Sequence, residues 1–248
     1  MTSPALRLPG RFYRSFPLDG RGHVPVDLVL PADSVALLLV DVYGEGFDDG
    51  QRPQTPALMS SWEIWERQRT VVQSVLVPLA SAWRAAGLPV VYVENRYPDL
   101  AWQGGAFAEW WRVSTGFDVR TVIHTEGRQA EYSPGIAPVE GDFVLPKPFD
   151  NAFCATPLDL LLRNLGVEHL VVAGFAAECC VLATIQGASE HGLRPVLVRD
   201  GCLADEHHDT EAGLGLTSWA VRVIESSRGP SVLADDLAQA LTALDRER

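Results

Sequence analysis

Basic residues are scarce in this chain: 20 Lys and Arg stand against 32 Asp and Glu in 248 residues, a net charge of −12. Such a surface repels phosphate backbones and anionic lipid headgroups, so neither nucleic acid nor a membrane is an expected partner. Cysteine is also sparse, with four residues at positions 154, 179, 180 and 202. They form neither a secreted disulfide framework nor a CxxC zinc pattern, and free thiols are expected. Long apolar runs are missing as well: none approaches the roughly 18 residues a bilayer span needs, and Met1 to Phe12 lacks the apolar stretch of a secretory signal. A cytoplasmic location is expected. Repeats, linkers and low-complexity segments are absent too. What remains is an ordinary globular composition, 47% hydrophobic and 21% charged, which excludes a disordered or collagen-like chain.

Apolar runs of strand length alternate with stretches of helical period, the pattern of a parallel sheet with crossover helices. Strands are predicted at Val35 to Val40, Pro89 to Glu94, Phe143 to Leu145, Glu168 to Gly174 and Arg194 to Val198, with a last one at Val221 to Ile224. Helices are predicted from about Arg67 to Ala86, Thr156 to Leu165, Cys180 to Glu190 and Thr210 to Val221. A terminal helix is read as capped by Ser231 and running to Leu244. The whole of 1–248 reads as one domain, with 1–30 an N-terminal extension. Residues 96–140, rich in Gly, aromatic and polar residues, are too long for a simple connection and read as a lid or an interface insertion.

In an open parallel sheet, ligands bind beyond the carboxyl ends of the strands. Three such ends carry reactive side chains. Cys180 opens a helix, where unpaired N–H groups and the positive end of the macrodipole favour thiolate over thiol. Lys147 lies between Pro146 and Pro148, a stiff mount for a positioned charge. Asp41 closes a run of six apolar residues, where partial desolvation moves a carboxylate toward a general base's range. Each also has a plainer reading, as a packed small hydrophobe, a solvated lysine in a Pro-rich turn, and a capping or turn aspartate.

Taken together, three runs carry a resemblance: Leu38-Leu39-Val40-Asp41, then Lys147-Pro148-Phe149-Asp150-Asn151-Ala152-Phe153 with Thr156-Pro157-Leu158, then Gly174-Phe175-Ala176-Ala177-Glu178 leading to Cys180-Val181-Leu182-Ala183-Thr184. In this order and spacing the chain resembles the isochorismatase-like cysteine hydrolases, closest in pattern to ureidoacrylate, biuret and N-carbamoyl amide amidohydrolases. The resemblance implies a three-layer α/β/α fold with a six-stranded, mostly parallel, Rossmann-like sheet. It also implies an Asp41–Lys147–Cys180 triad without cofactor, and a cis peptide at Phe175-Ala176 that aims the Ala176 and Cys180 N–H groups at an oxyanion. Cys179, one position earlier, breaks the family spacing. The reaction implied is hydrolysis of a C–N bond in a small amide, carbamoyl or ureido compound through a covalent enzyme intermediate. A vinyl-ether hydrolase of the isochorismate type and a non-catalytic binding member of the fold are the alternatives.

Departures from the family pattern bear on the substrate. Tyr43-Gly44 replace a usual Gln-Asn pair after Asp41, and Gln186 holds a helix position often given to arginine. Tyr43, Trp102, Arg112, Asn151, Phe153 and Gln186 are expected to line the pocket. The segment Trp102 to Arg120, with Trp110, Trp111, Phe107 and Phe117, fits a lid gripping a carboxylate through an arginine, a subunit contact or a local core. Asn95-Arg96-Tyr97-Pro98-Asp99 lacks the Asp-x-His of metal-binding relatives, and His207-His208 diverge by about 100° on a helix, so no metal is expected. Cys154 and Cys202 read as packing residues, with lining of the nearby pocket an alternative for Cys154. The expected partners are a small-molecule substrate and further copies of the chain, as a homodimer or homotetramer.

Overall fold

The computed structural model describes residues 4–44, 61–95, 106–116 and 131–246. Its sheet has eight strands in the order β2-β1-β8-β7-β6-β3-β4-β5. Six of them are mutually parallel: β3 (Val35–Val40), β4 (Val90–Glu94), β5 (Phe143–Pro146), β6 (His169–Phe175), β7 (Arg194–Leu203) and β8 (Ser231–Val232). The sheet thus has eight strands where six were expected, and five of the strands read from the sequence are among its six parallel ones. The other two strands form a hairpin, β1 (Ala5–Arg14) and β2 (Gly22–Pro31), that pairs antiparallel along ten residues and joins β8 through Arg11 opposite Ser231. The segment read as an extension therefore widens the sheet.

β3 is central and every one of its residues is buried, because a parallel strand covered on both faces needs apolar side chains on both. Its odd-numbered members Leu37 and Leu39 face one core and its even-numbered Ala36, Leu38 and Val40 the other. The first core is closed by a long helix over 62–85 and by α7 (Ala234–Arg246). The helix consists of α1 (Trp62–Val71), a wide π turn (Val72–Leu76) and α2 (Val77–Ala85). Ser61 caps it by accepting from the Ile64 N–H at 3.2 Å. Pro78 accounts for the wide turn, since its ring clashes with a regular preceding turn and it has no N–H to donate. A further helix, α3 (Ala106–Thr115), lies between β4 and β5. The second core is closed by α4 (Leu158–Asn164), α5 (Leu182–Glu190) and α6 (Gly215–Ser227).

Two sequence expectations are overturned. Val221 to Ile224 is not a strand: it lies inside α6, burying Val221 and Ile224. A four-residue apolar run has no period long enough to separate strand from buried helix, and here packing decided. Ser231 does not cap α7 either. It belongs to β8, and the Ala234 N–H at the helix start donates to the Asp200 carboxylate at 3.0 and 3.3 Å.

Candidate active site

Four adjacent strands, β6, β3, β4 and β5, deliver their carboxyl ends to one place. Gly174 on β6 lies opposite Val40 on β3, with φ +120° and so little room that a Cβ would stand 2.0 Å from the Val40 carbonyl oxygen. Only glycine lets the two strand ends pass this closely. The next residue after Val40 is Asp41, at φ +50°, a left-handed conformation that aspartate tolerates better than most side chains. Its N–H donates to the Val93 carbonyl at 2.9 Å.

Lys147 follows β5, its N–H donating to the Glu94 carbonyl at 2.8 Å, and its side chain is fully buried. The ammonium lies 2.8 Å from Asp41 Oδ2, and donates to Asn95 Oδ1 at 2.6 Å, to Cys180 Sγ at 3.2 Å and to the Phe149 carbonyl at 3.4 Å. A buried cation is tolerable only with such a set of acceptors and a counter-charge. Burial by itself would lower the Lys147 pKa, but Asp41 and Cys180 outweigh it and hold the group above its ordinary value.

Cys180 lies in a π turn (Ala177–Val181) that runs into α5, behind the cis peptide Phe175-Ala176. It is 6% exposed. The hydrogen bond with Cys179, burial and the charge on Asp41 push its thiol well above the usual range, against the pull of Lys147. The sulfur thus holds its proton more tightly than a free thiol does, whereas helix position alone favours the thiolate. The reason is that Asp41 already neutralises Lys147 and water is excluded. Cys202, also buried, has its thiol pushed up to about 12 by burial and touches none of these groups. Cys154 is exposed, contrary to its reading as a packing residue.

Asn95, at the end of β4, joins the three and was missed in the sequence. Its N–H donates to Asp41 Oδ1 at 3.0 Å, its Oδ1 accepts from Lys147, and its Nδ2 lies 4.0 Å from Cys180 Sγ. The strand-end rule that singled out Asp41 and Lys147 applies equally to Glu94-Asn95. With Asn95 on Oδ1, Asp41 Oδ2 has the ion pair but no aligned hydrogen bond, which leaves a lone pair for a proton.

The residues expected to line the pocket separate into groups. Tyr43 packs edge-on against Tyr132, centroids 6.3 Å apart, and Tyr132 donates to Glu94 beside Asn95, so this aromatic pair walls the β3 and β4 ends. Asn151 shapes the loop after Lys147: its Oδ1 accepts from the Phe153 N–H at 2.9 Å, and it lies against Gly187, where a Cβ would meet Oδ1 at 2.4 Å. Phe153 is buried in the helix-side core and stacks on His191 at 4.8 Å. Gln186 is exposed and donates to Glu190 along the same helix. Arg112 is exposed on α3, as is Trp110. Trp102, Phe117 and Arg120 lie outside the described residues. His207 and His208 are both exposed. Among the described residues, Asp150, Cys179 and Cys180 place possible metal-ligand atoms within 4.8 Å of one another, but the Cys180 sulfur already faces the Lys147 ammonium.

An isochorismatase domain model matches residues 36–228. The chain belongs to the isochorismatase family. Within it, the chain is 32% identical to ureidoacrylate amidohydrolase RutB of Methylorubrum extorquens over 216 residues, 83% of this chain and 82% of that protein. It is 36% identical to maleamate amidohydrolase of Pseudomonas putida over 116 residues, which are 46% of this chain and 51% of that protein. The chain thus spans about half the length of that relative. A cysteine hydrolase from Pseudomonas syringae pv. phaseolicola superposes with a TM-score of 0.70 at 18% identity, covering 87% of this chain and 95% of that one. N-carbamoylsarcosine amidase from Thermoplasma acidophilum superposes with a TM-score of 0.52 at 26% identity, covering 82% and 97%.

Proposed function

We propose that this isochorismatase-family protein is a cysteine-dependent amidohydrolase that cleaves a C–N bond in a small amide, carbamoyl or ureido compound. One observation carries the reading: a buried ammonium within 2.8 Å of a carboxylate and 3.2 Å of a thiol, at convergent strand ends. The names of the relatives, amidohydrolases of ureidoacrylate and maleamate, support the kind of C–N bond that is cleaved.

In this mechanism Cys180 Sγ attacks the carbonyl carbon while its proton passes to Asp41. Transfer concerted with attack suits a thiol whose pKa is pushed up. Lys147 keeps both partners in place and compensates the charge that moves between them. The carbonyl oxygen becomes an oxyanion, held by the backbone N–H groups of Ala176 and Cys180. As the C–N bond breaks, Asp41 returns the proton to the leaving nitrogen. A water then loses a proton to Asp41 and attacks the thioester or carbamoyl-enzyme, the S–C bond breaks, and the thiol regains its proton. Asn95 keeps Asp41 and Lys147 oriented throughout. A cysteine at the attacking position argues against vinyl-ether hydrolysis, which needs an acid.

The accompanying organisation is one domain in the cytoplasm, assembled as a homodimer or homotetramer. The insertion 96–140 serves as lid or subunit contact, and the exposure of Trp110 and Val113 on α3 supports that role. The test is ammonia release from ureido acids, biuret, carbamoyl amino acids and nicotinamide, and appearance of a free amine from cyclic lactams, with intact mass measured during turnover. Wild type is expected to cleave at least one of these and to carry the acyl mass on Cys180. Cys180→Ala should lose the activity by about 10³-fold or more. Full turnover by the alanine variant would overturn the covalent mechanism.

A further inference from the structure

The nucleophile has two unlike sides. Behind it lie the buried Lys147 and Asp41, whose charges cancel. On the other side Asp150 Oδ1 lies 3.7 Å from Cys180 Sγ, and Asp150 is exposed whereas Cys180 is buried, so this residue links the sulfur to the solvent side. This is not a loose surface acid. The Asp150 carbonyl accepts from Thr184 Oγ1 at 3.2 Å, Thr184 Oγ1 accepts from the Ala152 N–H at 3.1 Å, and the neighbouring Asn151 is seated on Gly187. The loop is thereby fixed to α5, the helix that continues from the nucleophile's own turn. Among the described residues the Cys180 thiol is the hydrogen-bond partner of this carboxylate, and no lysine or arginine pairs with it.

Resting on the amidohydrolase reading, we infer that Asp150 is a specificity-determining residue of this site. Its carboxylate accepts an N–H of the substrate's scissile amino group, and its charge selects neutral or cationic small amides over anionic ones, a departure from the anionic ureidoacrylate and maleamate named for the relatives. The distances lead there directly. A carbonyl carbon in attacking position lies about 3–3.5 Å from Sγ, so its substituents fall within a few ångströms of Oδ1. An N–H group there gains a charge-assisted hydrogen bond. A substrate carboxylate there meets an uncompensated like charge in a site that water only partly screens. The surface potential of a chain with net charge −12 acts in the same direction on approach.

The test needs no knowledge of the natural substrate. In a Cys179→Ser background, Cys180 is modified with the cationic 2-aminoethyl and the anionic 2-sulfonatoethyl methanethiosulfonates, each rate normalised to free cysteine and mapped by mass. The parent protein, with Asp150 intact, is expected to favour the cation by roughly tenfold or more, Asp150→Glu to keep that preference, and Asp150→Asn to lower it to within about threefold of parity. Raising the salt from about 20 mM to 500 mM should shrink the preference in the parent, which gives a readout even if the Asp150→Asn variant folds poorly. An equal ratio in the parent and in Asp150→Asn, or faster reaction of the parent with the anion, overturns the inference. Amides of one length bearing an ammonium, a neutral or a carboxylate tail then separate the two levels. Turnover with no charge preference sinks the role of Asp150 and leaves the hydrolase standing. No turnover, with the probe preference intact, sinks the hydrolase and leaves charge selection at the sulfur.

Discussion

At the scale of single residues, the site's behaviour depends on which charges are already matched. Lys147 is committed to Asp41 and Asn95 before it reaches the sulfur, so its attraction for a thiolate is largely used up. The hydrogen bond that the Cys180 thiol makes to Cys179, and burial, then push that thiol above its usual range. A thiol whose pKa is raised gains thiolate as pH climbs, and its reactivity climbs with it. Alkylation of Cys180 by iodoacetamide, mapped by mass, should therefore rise by about tenfold per pH unit from roughly pH 6.5 to 8.5. A rate that is flat across this range would mean that the thiolate is the resting form. Glu178, two residues before the nucleophile, is pushed up to about 7 by burial and then by Asp205, so charge near the π turn changes in the same pH range. The alkylation profile is accordingly best read beside that of Glu178→Gln, which lacks this second titration.

At the scale of elements, the contact between β6 and β3 decides whether the site exists at all. Gly174 takes φ +120°, and any Cβ would collide with the backbone of Val40, one residue before Asp41. The collision is with main chain, so no rotamer change relieves it. Gly174→Ala should cost about 3 kcal/mol or more in denaturant unfolding, or leave the protein insoluble. Stability within about 1 kcal/mol of wild type would show that the strand ends are not held this tightly. The same elements show the limits of reading a sequence. Val35 to Val40 and Glu168 to Gly174 were legible as strands because continuous apolar runs between turn signals fit buried parallel strands. Val221 to Ile224 was not, since it is too short to display a helical period.

At the scale of the whole molecule, the N-terminal hairpin shows how a distant segment completes a sheet. Glu225 on α6, its side chain fully buried, accepts from Arg11 Nε at 2.7 Å and from Ser231 Oγ at 2.5 Å, and lies 2.9 Å from His23 Nε2. One carboxylate thus ties β1, β2 and β8 to α6. Glu225→Ala should destabilise the protein by about 1–3 kcal/mol. Hydrogen exchange is expected to rise in residues 5–31 more than in the central strand 35–40. Uniform exchange across both would show that the hairpin is held by its backbone ladder alone. No helix among the described residues is long and apolar enough to cross a membrane.

By itself the sequence determined the order of the parallel strands' apolar runs, the glycines that end the helices, and three strand ends bearing Asp41, Lys147 and Cys180. These are local properties, set by period and by turn chemistry within a few residues. Only the tertiary structure decided that Asn95 and Asp150 join them, that its surroundings push the Cys180 thiol up, and that 5–31 extends the sheet. Each of those follows from distances between segments far apart in the chain and from how much water reaches them, and no local pattern of residue types encodes either quantity.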